Sequence, residues 1–263
     1  MRMIWGLAGV VMSLALGAGM RAQAPDARPA VQPVARASGI EVATAAAPAV
    51  GQIHSEAAKR LIVIGFMGGR VSAGNLVHKE ALVAQALQKR YPKEVQAAVF
   101  ANHDAPNALK LVLKLLDEDG DGKLSAGEKS AARIVIYGHS WGASETVALA
   151  KRLNDLGIPV LLTVQVDSVE KPSENDGMIP PNVHEAVNFY ETEGLLHGRP
   201  LIAAMDPAKT TILGNYESSY KTAPVALDGY PWFARTFMKE HIEIENDAAV
   251  WDKIEALIGA QVL

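Results

Sequence analysis

The sequence predicts a doubly wound α/β fold, in which a mostly parallel sheet carries helices on both faces. Apolar runs at 61–64, 134–137 and 159–166 predict buried strands, and the run at 61–64 has no polar alternation, as in a strand that is covered on both faces. Patterns of helical length separate these runs. Strands that alternate with helices along a chain are typical of a parallel sheet joined by crossover helices.

The other elements follow from capping residues and from the spacing of apolar positions. A first helix is predicted at 75–90, because Asn75 can cap its start and Lys89 and Arg90 suit its C-terminal end. Asp104 and Pro106 open a second predicted helix at 107–116. The remaining predicted elements are helices at 143–154 and 247–258 and strands at 95–100, 186–190 and 210–213.

Length and composition restrict the class of protein. The chain has 263 residues, of which 49% are hydrophobic, so it can bury the core of one or two domains. It contains no cysteine, which excludes disulfides, thiol nucleophiles and cysteine-ligated zinc. Its net charge of −4 argues against a nucleic-acid partner.

The N-terminal segment has the form of a secretory signal peptide at 1–24. Arg2 precedes an apolar stretch, and Ala22 and Ala24 form a small-residue cleavage site, which favours cleavage over a retained membrane anchor. Residues 25–57 are rich in alanine and proline and predict a disordered leader before a folded domain at 58–263. We therefore expect a secreted or periplasmic protein without stable membrane insertion after signal cleavage.

A Gly-His-Ser-Trp-Gly turn at 138–142 joins a predicted strand to a predicted helix. Small residues are needed at Gly138 and Gly142, because larger side chains would crowd the neighbouring elements. The turn would hold the Ser140 hydroxyl at the carboxyl end of the sheet, where backbone N–H groups of the helix can stabilise an oxyanion. The alternative is an ordinary glycine-rich turn with a solvated serine.

This turn and its context resemble the nucleophile elbow of the α/β-hydrolase family, and the resemblance covers about residues 58–263. It implies a lipase-like esterase or thioesterase in which Ser140 is the nucleophile. It also implies two backbone N–H donors to the oxyanion, one from Trp141 and one from Phe66, with the neighbouring Met67 as the alternative to Phe66. Phe66 follows a strand-end turn in which Ile64 replaces the family's usual histidine.

The family's chain order of serine, acid and histidine gives candidates for the rest of a catalytic triad. Among seven histidines, His241 is the best base, because it lies in a turn-like stretch shortly before the predicted terminal helix. Asp167 directly follows a predicted strand and resembles the acid of the lipase branch. Glu191, Glu193 and Asp206 remain open as alternative acids.

Residues 117–128 match the calcium-binding loop of an EF-hand, D-x-[DN]-x-[DN]-G-x5-E, at every constrained position. Ca²⁺ prefers about six to eight oxygen ligands. The predicted ligands are the side chains of Asp117, Asp119, Asp121, Ser125 and Glu128 and the carbonyl oxygen of Lys123. The alternative is a solvated acidic turn. Because no second loop of this kind is present, we expect a structural ion that stiffens the approach to the strand at 134–137.

Together these features predict an exported serine hydrolase that cleaves a small carboxylic ester or thioester and carries a structural Ca²⁺. Two other functions remain open. One is a non-catalytic calcium-binding or interaction protein on the same scaffold, and the other is a peptidase of the same fold.

Overall fold

The computed structural model describes residues 60–69, 71–172 and 174–262. The described residues belong to one compact unit. The predicted signal peptide and leader lie outside the described residues. Within the described ranges, no helix combines the length and the apolar character that a membrane crossing requires.

Six parallel strands form the central sheet, in the spatial order β2-β1-β3-β4-β6-β8, and two short parallel strands, β5 and β7, form a second sheet. In chain order the strands are β1 (Leu61–Met67), β2 (Val95–Ala101), β3 (Ile134–His139), β4 (Val160–Val166), β5 (Met178–Ile179), β6 (Val183–Tyr190), β7 (Ala203–Ala204) and β8 (Thr211–Glu217). The strand order reverses direction between β1 and β3, which places a crevice at the carboxyl ends of these strands. Strand β4 pairs with β3 in parallel, so its carboxyl end lies beside that of β3.

Helices cover both faces of this sheet, and the predicted doubly wound α/β fold is confirmed. The helices are α1 (Lys79–Arg90), α2 (Ala105–Leu116), α3 (Ala126–Ser130), α4 (Trp141–Asp155), α5 (Trp232–Phe237), α6 (Lys239–Asn246) and α7 (Ala248–Ala260). Side chains of α2 and α4 pack in one hydrophobic cluster, and those of α1 and α7 pack in another.

Strand β1 shows why the buried strands carry unbroken apolar runs. Ile62 and Ile64 belong to the cluster with α2 and α4, whereas Leu61 and Val63 belong to the cluster with α1 and α7. Successive side chains of a strand point to opposite faces, so a strand covered on both sides needs an apolar residue at every position.

Two of the differences from the predicted elements lie at helix starts. Helix α1 begins at Lys79 instead of Asn75, because the Asn75 side chain accepts a hydrogen bond from the Val77 N–H in a turn that precedes the helix. Helix α4 begins at Trp141, two residues earlier than predicted, since the turn after β3 leads directly into it.

Candidate active site

Ser140 lies at the turn between β3 and α4 in a strained backbone conformation. Its φ is 57° and its ψ is −126°. Among the residues that the structure describes, Ser140 and Asp167 are the two non-glycine residues with positive φ. Such conformations are costly for residues with a Cβ and concentrate at functional sites.

The two glycines of the turn allow its close contacts with neighbouring backbone. A Cβ on Gly142 would lie 2.2 Å from the Phe66 carbonyl oxygen, and a Cβ on Gly138 would lie 2.5 Å from the Gly142 carbonyl carbon. Both obstacles are backbone atoms, which cannot move without displacing β1 or α4. As the sequence predicts, a larger side chain at Gly138 or Gly142 would clash with neighbouring backbone.

Replacement of Gly142 by alanine is expected to destabilise the fold by on the order of 1–3 kcal/mol or more, through overpacking against β1. The Gly127→Ala variant is a suitable control, because a Cβ there would meet only the Ser125 hydroxyl at 3.9 Å. It lies within helix α3, so alanine should leave the melting temperature unchanged or raise it. Equal melting temperatures for the two variants would contradict this account of the turn.

Ser140, His241 and Asp167 form one continuous chain of side-chain contacts. His241 Nε2 lies 2.9 Å from Ser140 Oγ, and His241 Nδ1 lies 2.5 Å from Asp167 Oδ2. All three side chains are buried. With its proton on Nδ1, the imidazole donates to Asp167 and its Nε2 can accept the serine proton. This arrangement can generate an alkoxide nucleophile.

Asp167 is held in place at the end of β4 by hydrogen bonds to its second carboxylate oxygen. Asp167 Oδ1 accepts from the N–H of Gly198 at 2.8 Å and from the N–H of Glu191 at 3.1 Å. Because these bonds occupy Oδ1, the other oxygen remains directed at the imidazole of His241.

The three alternative acids make no hydrogen bond to His241. Glu191 lies next to Asp167, and its Oε2 accepts from the N–H groups of Glu193 and Gly194. Burial, together with the nearby charge of Asp167, raises the pKa of Glu191. Glu193 bonds to Ser219 and Tyr220 instead. Asp206 accepts from the Ala208 N–H in a distant turn.

His241 lies on a helix and not in the loop that the sequence predicted. It occupies the first turn of α6, a short helix that ends just before α7. Lys239 and Glu243 pair across one turn of this helix at 2.8 Å, an arrangement that supports helix formation. The sequence predicts a turn in the short charged segment before the terminal helix, and in the structure this segment is a separate helix.

The placement of Phe66 differs from its predicted role as an oxyanion donor. Phe66 lies inside β1, in register with Phe100 on one side and Gly138 on the other. The backbone that reaches the serine is the turn after β1, where a Cβ on Gly68 would lie 3.2 Å from Ser140 Cβ. The candidate donor therefore lies in the turn after β1 and not at Phe66.

Within that turn, one N–H group is already engaged. The Gly68 N–H donates to Glu80 Oε1 at 3.1 Å, so it is directed away from the serine. Gly69 and Trp141, the first residue of α4, line the same pocket as Ser140, and their N–H groups are the candidate donors to an oxyanion.

A cavity of about 210 Å³ opens over the Ser140 and His241 side chains. Its wall is mainly apolar and includes Val71, Val169, Leu196, Ala234, Met238 and Ile242. A larger cavity of about 410 Å³ lies beside the 117–128 loop and contains none of the three side chains of the serine–histidine–aspartate chain. The smaller cavity is therefore the candidate substrate pocket.

Beside the pocket lies a second buried polar cluster, formed by His78, Glu80, His139 and Glu245. Burial lowers the pKa of His139 to about 4 and raises the pKa of Glu80 well above its usual range. Glu245 has a lowered pKa despite its burial, because His139 and His78 lie close to it. No local sequence pattern predicts this cluster, since its members are far apart in the chain.

The 117–128 loop brings together only some of the predicted calcium ligands. Carboxylate oxygens of Asp117, Asp119 and Glu128 lie within 4.8 Å of one another. The Asp121 side chain instead accepts from the Lys123 N–H at 2.7 Å. Ser125 caps helix α3 in a reciprocal capping box with Glu128. Hydrogen bonds from the Ser125 and Glu118 N–H groups lower the pKa of Glu128 to about 2.

Comparison with known proteins gives likenesses of fold. No family model matches the sequence, and no curated protein matches it. Among solved structures, an arylesterase matches with 16% identity and a TM-score of 0.31, over 42% of this chain and 37% of that one. An esterase from Pyrobaculum calidifontis matches with 20% identity and a TM-score of 0.27, over 42% and 36%.

The thioesterase RedJ from the prodiginine pathway of Streptomyces coelicolor is similar over more of its length. It shares 12% identity with a TM-score of 0.39, over 76% of this chain and 90% of the thioesterase. The chain spans little more than a third of the two esterases. The function proposed below therefore rests on the geometry of the site.

Proposed function

We propose that this chain is a serine hydrolase that cleaves a carboxylic ester or thioester. The observation that carries the proposal is the hydrogen-bonded chain from Asp167 through His241 to Ser140 Oγ beneath an apolar pocket. Nucleophile, base and orienting acid recur in this geometry on unrelated folds, so the roles follow from the contacts.

In the proposed reaction, Ser140 Oγ attacks the acyl carbon while His241 Nε2 takes its proton. The negative charge that forms on the acyl oxygen is stabilised by N–H groups of Gly69 and Trp141. The imidazolium then protonates the leaving alcohol or thiol, and an acyl-enzyme remains on Ser140. Water, deprotonated by His241, hydrolyses that ester and regenerates the serine.

The pocket favours a small apolar acyl group. Its volume of about 210 Å³ is below the range of roughly 300–1,000 Å³ that is typical of sites for drug-sized ligands. A comparison of p-nitrophenyl esters of increasing chain length with peptide anilides tests the proposal. We expect turnover of short-chain esters. Faster cleavage of the anilides would support a peptidase instead.

We further propose that the 117–128 loop binds Ca²⁺ as a structural ion. The support is an all-oxygen donor set in which three carboxylates already converge. The bound ion would add charge-neutralising contacts between the end of α2 and the start of α3. It takes no part in the chemistry, because none of the loop residues contacts Ser140, His241 or Asp167.

Removal of Ca²⁺ is expected to lower the melting temperature. At a free concentration of about 100 times Kd, an ion that binds only the folded state stabilises it by about 2.7 kcal/mol. For a domain of this size that corresponds to a shift of roughly 5–10 °C. An Asp119→Ala variant should lose this response to chelator. An unchanged melting temperature of the wild-type protein on chelation would contradict the proposal.

Export is also a proposal and depends on the N-terminal sequence alone. Cleavage after Ala24 would release a mature protein into the periplasm or the medium. N-terminal sequencing of the protein recovered from those fractions tests this, and an intact N-terminus at Met1 would contradict it.

A further inference from the structure

The second polar cluster joins three elements that surround the catalytic side chains. His78 precedes α1, Glu80 lies on its first turn, His139 ends β3 and Glu245 lies near the end of α6. Ligand atoms of His78, Glu80 and Glu245 lie within 4.8 Å of one another, and the two glutamates are buried. Of the four side chains, His78 is the most exposed, at 12%, and it lines the pocket.

The hydrogen bond that His139 makes defines its tautomer. Its Nε2 lies 3.1 Å from the carbonyl oxygen of His241, which can only accept, so Nε2 carries a hydrogen. In the neutral ring, Nδ1 then has a lone pair, and it lies 3.6 Å from Glu245 Oε2. That distance is too long for a hydrogen bond, and Nδ1 is buried with no partner among the described residues.

Two acceptor atoms that face each other in a buried site need a positive charge between them. Two ligands bonded to one tetrahedral zinc ion at about 2.0–2.1 Å lie about 3.3 Å apart. The separation of His139 Nδ1 and Glu245 Oε2 is close to this value. At 3.6 Å it is a few tenths of an ångström longer, so a small shift would allow both atoms to bind the same ion.

Glu80 also has a buried acceptor atom without a hydrogen-bond donor. Its side chain is fully buried, and while Oε1 accepts from the Gly68 N–H, Oε2 has no hydrogen-bond partner in the part of the chain that the structure describes. Within those same ranges, neither Glu80 nor Glu245 forms an ion pair with a lysine or an arginine, and the cationic partner that directly contacts Glu245 is His78 when protonated, through its Nδ1 and Glu245 Oε1. Two neighbouring buried carboxylates with at most one imidazolium in direct contact are costly, by several kcal/mol per ion.

We propose that His78, Glu80, Glu245 and His139 bind one divalent transition-metal ion of the zinc class. Two imidazoles and two carboxylates neutralise a doubly charged ion and suit zinc better than the purely oxygen-binding Ca²⁺. The ion would link α1, β3 and α6. Through the Glu80 bond to Gly68 and the His139 bond to His241, it would fix both the oxyanion turn and the catalytic base.

Metal titration of the untagged mature protein tests this proposal directly. After treatment with chelator and dialysis, Co²⁺ is added and its visible absorption is recorded, and Zn²⁺ is titrated by calorimetry. We expect one ion per chain, a Co²⁺ spectrum typical of nitrogen and oxygen ligands, and displacement of Co²⁺ by Zn²⁺. The Glu245→Gln variant should weaken binding by more than the roughly 10–100-fold that loss of an outer-shell partner costs.

Two matched variants serve as controls. Glu243→Gln changes another buried glutamate of α6, which accepts from the Val225 N–H and pairs with Lys239, so it should leave binding unchanged. Asp119→Ala removes a carboxylate of the 117–128 loop and should also leave it unchanged. Failure of the wild-type protein to bind Co²⁺ or Zn²⁺ stoichiometrically would overturn the proposal and indicate a proton shared by Glu80 and Glu245. Unchanged binding in Glu245→Gln would overturn it as well.

Discussion

Replacement of Ser140 by alanine is expected to lower kcat for ester hydrolysis by a factor on the order of 10⁶, because the nucleophile of the acyl-enzyme step is lost. The measurement is turnover of a short-chain p-nitrophenyl ester by the purified variant. Loss of the hydroxyl leaves the turn intact, since alanine retains the Cβ that the backbone already accommodates at φ 57°. The melting temperature should therefore stay close to that of the wild type.

The Ser144→Ala variant is the matched control for this loss. Ser144 is also buried and lies one turn further along α4, but its hydroxyl contacts Glu174 and not His241. We expect nearly full activity from it. Activity of Ser140→Ala close to that of the wild type would show that another group performs the reaction.

The Asp167→Asn variant is expected to lower kcat by about 10⁴-fold. The asparagine oxygen can still accept from the N–H groups of Gly198 and Glu191, so the geometry at the end of β4 should persist. Its amide group would donate to His241 Nδ1 and force the proton of the imidazole onto Nε2. That nitrogen could then no longer accept the proton of Ser140.

The Asp206→Asn variant tests an alternative candidate for the acid of the triad. Asp206 bonds only within its own turn and to Lys209, so its replacement should leave kcat unchanged. A large loss in Asp206→Asn together with a small one in Asp167→Asn would refute the assignment of the acid. Steady-state kinetics of both variants on one ester provide the comparison.

The sequence predicts the fold well because burial leaves a direct pattern in the strands. The unbroken apolar run at 61–64 becomes the core of β1, with alternate side chains in the two hydrophobic clusters. Helix starts are less predictable, since a residue such as Asn75 satisfies its local hydrogen bonds equally well in a turn before the helix.

The sequence predicts those site residues whose neighbours in the chain form a recognisable pattern. Ser140 is flanked by the two glycines that its turn requires, and Asp167 directly follows a strand whose carboxyl end is adjacent to β3. The turn after β1 is harder to place, because the sequence does not show that β1 continues through Phe66 to Met67. The polar cluster around Glu80 depends on packing between distant elements, and no local pattern signals such a contact.

The most direct test of the proposed serine hydrolase activity is covalent labelling of the folded protein with a fluorophosphonate, which reacts only with an activated serine. The account predicts stoichiometric labelling that mass spectrometry maps to Ser140, with no labelling after heat denaturation or in the Ser140→Ala variant. Ser144→Ala should label as the wild type does. Absence of labelling in the folded wild-type protein, or labelling at another residue, would contradict the proposed function.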